Sequence, residues 1–112
     1  PYDTQVHQGA VAPAGDGCLI YALDQPCMPI PGAMQAGVRD IWLGCESKGW
    51  WSRWSAPADV VSITGDYGMS QLNVVHALAM ARAGLNFWHE EDRIRWAVRI
   101  FEGSGWRAWS CR

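Results

Sequence analysis

Apolar residues recur at Met34, Val38, Ile41, Trp42 and Cys45, a spacing that lines one face of an α-helix. It predicts a first helix over about 33–47, ended by Lys48-Gly49. A second stripe, Leu72, Val75, Ala79 and Ala83, predicts a helix over about 70–83 with Gly84 in the position that closes a helix. A third, Ile94, Ala97, Val98 and Phe101, predicts one over about 90–102, terminated by Gly103. Residues 50–68 have no helical period. They carry Pro57, "VVSI" and "TGDYG", and so predict an irregular loop with a short β element. Ahead of the first helix, residues 1–17 are rich in Gly, Ala and Pro and predict an extended lead-in. "CLIYALDQPC" at 18–27 is a short apolar segment closed by a Pro turn, where a local Cys18–Cys27 loop would fit, and "MPIPG" then breaks the chain. The tail "GSGWRAWSCR" reads as a loop that must dock, since it carries two Trp and a Cys. The pattern divides into an N-terminal extension, 1–32, and one compact unit, 33–112, of α+β class and mainly α-helical.

Composition narrows the function classes. With 49% hydrophobic and 18% charged residues in 112, the chain is globular and of single-domain size. Net charge is −2 and no Lys/Arg block exists, which argues against a nucleic-acid footprint, since phosphate binding needs a concentrated basic face. No apolar run approaches the ~20 residues of a membrane span. Pro1 shows neither an initiator Met nor a signal sequence, so the chain reads as a mature form or as a domain of something longer, and otherwise as a monomer. The four cysteines form no C-x-x-C pair. Two disulfides in an extracytoplasmic protein fit that spacing, and four reduced buried thiols are the alternative. Eight tryptophans supply either core or a stacking surface for a flat ligand.

The candidate chemistry starts at "GCESKGWW", residues 44–51. In a helix, Glu46 lies about 40° around from Trp42, at the margin of the apolar face, and in the last turn, where the dipole is negative. Indole packing and that dipole end both disfavour an ionised carboxylate, which suits a general acid. The plain alternative is a solvated Glu at a helix end. Other chemistries fail on spacing. "HEEDR" at 89–93 is not H-E-x-x-H, and His7, His76 and His89 form no metal pattern, with His76 reading as a helix-flank residue. "GMSQL" lacks the second Gly of a nucleophile elbow. No metal or cofactor motif stands out.

Three pieces then fall in order along residues 38–112: "CES" ending the first helix, "DYGMSQLN" with its Asp-Tyr-Gly, Gln and Asn, and the tail "GWRAWSC". Together they resemble the lysozyme superfamily, including small phage and actinobacterial resuscitation-promoting-factor-like, transglycosylase-like domains. The resemblance implies a small lysozyme-like fold with a short β element beside the catalytic helix. It implies peptidoglycan as partner and cleavage of the β-1,4 linkage between N-acetylmuramic acid and N-acetylglucosamine. Glu46 falls on the family's catalytic acid, and Asp66 on the second carboxylate of the animal-type enzymes. Tyr67 and Gly68 fall on the cleft turn, and Gln71 and Asn73 on polar cleft residues. Two features depart from the family: Met69-Ser70 replaces two apolar residues, and the short remainder after Asn73 leaves little for cleft walls. Lytic transglycosylases often lack the second carboxylate, in which case Asp66 is a turn residue; Asp59 is a more distant candidate. A catalytically silent glycan-binding or tail module is a third possibility. Trp50, Trp51, Trp54 and Tyr67 are the candidates for stacking on sugar faces, with core packing the alternative for at least one Trp. Cys45 ends the catalytic helix and Cys111 sits in a tail with little else to hold it, so the expected pairs are Cys45–Cys111 and Cys18–Cys27.

Overall fold

The computed structural model of the chain describes residues 18–19, 28–47 and 60–111. Trp50, Trp51, Trp54, Asp59, the Cys18–Cys27 pairing and the Lys48-Gly49 helix stop lie outside the described residues. What is described is a mainly helical α+β arrangement with two small antiparallel ladders.

Strand β1 (Cys18–Leu19) pairs with β2 (Met28–Pro29). Leu19, Met28 and Ile30 are buried in the same core as the first helix, so this part of the N-terminal segment is packed into the compact unit. The first helix, α1, is composite: a 3-10 turn (Gly32–Met34), an α turn (Gln35–Gly37) and a π-helical stretch (Val38–Glu46). Met34, Val38 and Trp42 are fully buried along it, and Ile41 packs against the same core, as the periodicity predicts. The π stretch changes the geometry at its end. Bonds that reach five residues back widen the turn and rotate each residue by less than 100°. Glu46 therefore lies nearer the azimuth of Trp42 than α-helical counting puts it. The last turn is fastened by Ser47, whose backbone N–H and buried hydroxyl both donate to the Trp42 carbonyl, each at 2.8 Å.

The β element falls within the expected region. Strand β3 (Asp66–Tyr67) pairs with β4 (Leu72–Asn73) in the register Asp66 to Asn73 and Tyr67 to Leu72, and Val61 bridges Tyr67. This overturns the start of the second predicted helix. Residues 70–73 belong to the hairpin, Val74–His76 form a 3-10 turn, and helix α2 is only Ala77–Arg82. The reason lies in Asn73, whose side-chain oxygen accepts from the Val75 N–H at 2.9 Å and caps the turn; an Asn cap starts a helix rather than sitting inside one. The predicted stripe shifts with it. Val75, Ala79 and Ala83 are exposed, and Met80 is the buried residue. Gly84 does close the helix, at φ +80°.

Helix α3 (Glu90–Ser104) starts as predicted, with Glu90, Glu91 and Asp92 in its first turn, where acidic side chains favour the helix dipole. It runs past Gly103 and ends at Gly105, which takes φ +63°. Ile94 and Ala97 are buried in the main core, with Val98 and Phe101 packed against it. A second stripe, Trp96 and Ile100, faces a smaller cluster of Leu72, Met80 and Phe87, and Ile100 touches both. The tail turns through Gly105–Ala108 and docks. Trp109 is buried 5.5 Å from the Trp42 ring, centroid to centroid, and Trp106 lies edge-on to Trp42 at 6.0 Å. Gly37 makes that approach feasible, because any Cβ there would overlap the Trp106 indole. Cys45 and Cys111 form a disulfide, with 5.8 Å between their Cα atoms. Among the described residues no helix is long and apolar enough to cross a membrane.

Candidate active site

Glu46 ends α1 half-buried. Its Oε1 accepts the backbone N–H of Cys111 at 3.1 Å and the Ser110 hydroxyl at 3.4 Å. One residue earlier in the tail, the indole N–H of Trp109 donates to the carbonyl of Ser70 at 2.9 Å, at the tip of the β3–β4 hairpin. Residues 109–111 thus bind both the end of α1 and the hairpin tip. The tail thus links the end of "CES" to Ser70 of "DYGMSQLN", two pieces that lie apart in the sequence.

The hairpin tip is built tightly. Gly68 has φ +79°, and a Cβ on it would collide with the Glu90 carboxylate; only glycine meets both demands. Met69 and Ser70 are fully buried, and Met69 anchors the tip in the main core. Gln71 is held at φ +53°, unusual for a residue with a side chain. Its amide N–H groups donate to the carbonyls of Gly68 at 2.9 Å and Val60 at 3.2 Å. Gln71, expected to meet substrate, therefore spends its donors on closing the turn.

Asp66 is similarly engaged. Its Oδ2 accepts from Thr64 at 2.6 Å and Ser62 at 3.0 Å, and its Oδ1 from the Asn73 amide at 2.9 Å. Burial pushes the Asp66 carboxyl up, but these three donors outweigh it and hold its pKa below the usual 3.8. Asn73 also donates to the Thr64 carbonyl, so its amide serves Asp66 and the turn together. Tyr67 is half-buried, with its ring 5.3 Å from both Phe87 and Trp88 in edge-to-face geometry.

Two features were not anticipated from the sequence. Trp88 is 59% exposed, yet its ring packs at right angles to Tyr67 and Phe87, and its backbone N–H donates to Asn86 Oδ1 at 2.9 Å. The second lies in "HEEDR", whose spacing fits no metal motif. Glu90 and Arg93 form a buried ion pair at 3.0 Å. The other Glu90 oxygen accepts the Met69 N–H at 2.9 Å, and Arg93 donates to the Phe87 carbonyl at 2.7 Å. The guanidinium also sits over the Tyr67 and Phe87 rings, 5.9 and 5.7 Å from their centres. An acid and a base three apart at the start of an amphipathic helix were the available signal. Among the described residues, no three His, Cys, Asp or Glu gather as metal ligands would.

No known protein family, no curated protein and no solved structure matches the chain.

Proposed function

We propose that the chain is a peptidoglycan glycosidase of lysozyme type, cleaving the β-1,4 bond between N-acetylmuramic acid and N-acetylglucosamine outside the cytoplasm. The observation that carries this reading is the tail: residues 109–111 bind the Glu46 carboxyl group and the hairpin tip in one stretch, bringing together two motifs that resemble the lysozyme superfamily. Glu46 acts as general acid, donating its proton to the leaving glycosidic oxygen. Asp66, kept ionised by its three donors, faces the positive charge that develops at the anomeric carbon. Trp88 and Tyr67 offer aromatic faces to the C–H side of the sugar rings. The Cys45–Cys111 disulfide supports an oxidising compartment.

One observation favours a second reading. Both Asp66 oxygens are bound inside their own hairpin, as a turn-organising residue would be. In a lytic transglycosylase the sugar's own 6-hydroxyl closes a 1,6-anhydro ring, and Glu46 works without a second carboxylate.

Glu46→Gln tests both readings. Glutamine keeps an oxygen for the Cys111 N–H but carries no acidic proton. Turbidity clearing of purified cell walls should fall by on the order of 10²-fold or more, with the melting temperature unchanged. A variant that keeps more than about a tenth of the activity means Glu46 is not the acid.

A further inference from the structure

We infer that the stapled tail is a positioning element for Glu46, and that it selects Oε2 as the oxygen that carries the catalytic proton. This rests on Glu46 being the general acid. Both donors that reach the carboxyl group from the tail, the Cys111 N–H and the Ser110 hydroxyl, converge on Oε1. An oxygen that accepts two donors is a poor place for a proton, because the proton would face those donors. Oε2 receives neither, so the neutral acid carries its hydrogen there.

The direction of the carboxyl group is fixed by the same contacts. Oε1 is turned to the tail, and the Cys45–Cys111 bond joins the residue before Glu46 to the residue whose N–H binds it. Trp109, buried against Trp42 and bonded to the Ser70 carbonyl, anchors the tail from the other side. A half-buried glutamate at a helix end would otherwise sample several rotamers, only some of which deliver a proton to a bound glycan. Ser110 and Cys111 touch no reacting atom and act through Glu46.

The experiment compares wild type, Cys45→Ala/Cys111→Ala and Ser110→Ala, using soluble unbranched peptidoglycan glycan strands as substrate and checking the fold by near-ultraviolet circular dichroism. The paired cysteine variant should lose about tenfold or more in kcat with KM held within about threefold, the pattern of a group that orients chemistry rather than binding. Ser110→Ala keeps the staple and should lose about two- to fivefold in kcat alone. Mild reduction of wild type should lower kcat, and reoxidation should restore it. A folded cysteine variant with wild-type kcat overturns the inference. If that variant does not fold, an unchanged kcat in Ser110→Ala overturns it instead. Wild-type activity in Glu46→Gln defeats the general-acid reading, and this inference with it. An inactive Glu46→Gln beside a fully active tail variant defeats this inference alone.

Discussion

The hydroxyls of Ser62 and Thr64 point at one oxygen of Asp66 and the amide of Asn73 at the other, so changing that carboxylate alters the hairpin together with the proposed chemistry. Asp66→Asn presents one acceptor where three donors need two, and should cost about 1–3 kcal/mol in urea unfolding. The sign of the pH dependence follows. A carboxyl group whose pKa is lower in the fold stabilises it above the ordinary value of 3.8, and loses that contribution as pH falls below it. Acid melts of the wild type should decline in that window, and Asp66→Asn should flatten the decline. Its kinetics separate the two mechanisms. A loss on the order of 10²-fold with reducing-end products indicates the hydrolase. A loss below about tenfold with 1,6-anhydro products indicates the transglycosylase. Trp88 tests the proposed stacking surface. Because it is 59% exposed but packs on Tyr67 and Phe87, Trp88→Ala should lower the melting temperature by less than about 10 °C and leave the chain folded. It should raise KM for soluble glycan strands about three- to tenfold with kcat little changed.

At the scale of elements, the hairpin and α3 form one unit through Glu90. Glu90→Gln keeps the shape but leaves the Arg93 charge buried beside a neutral amide, at a cost of about 3–5 kcal/mol in chemical unfolding. Adding Arg93→Met should cost less than the sum of the two single changes, because the buried guanidinium that lost its carboxylate goes with it. This link also shows where sequence periodicity stops being informative. The faces of α1 and α3 were legible because Met34, Val38, Trp42, Ile94 and Ala97 are all buried on a helical repeat. The short α2 was not. Leu72 and Val75 share a helical spacing on paper, but the hairpin takes Leu72 into a strand, and the Asn73 cap restarts the backbone between them. The π-helical end of α1 was also hidden, because the bonds of Ser47 to the Trp42 carbonyl leave no trace in an apolar pattern.

At the scale of the whole molecule, the pairing of Cys45 with Cys111 was readable, since Cys45 ends a predicted helix and Cys111 sits in a tail with little else to hold it. The partners of Glu46 were not, because a backbone N–H has no letter in the sequence. Trp88 and Glu90 were missed for a related reason: their meaning comes from Tyr67 and Met69, about 20 residues away in the chain. The tail has a further consequence, one of timing. Glu46 meets its donors across separations of 64 and 65 residues, so this contact is among the most non-local in the fold, and non-local contacts form late. On a ribosome adding about 5–20 residues per second, the carboxyl group waits several seconds for residue 111 to be made. Until then the end of α1 lacks both its staple and the tail donors, and the carboxyl group takes a fixed direction only as the chain closes on itself.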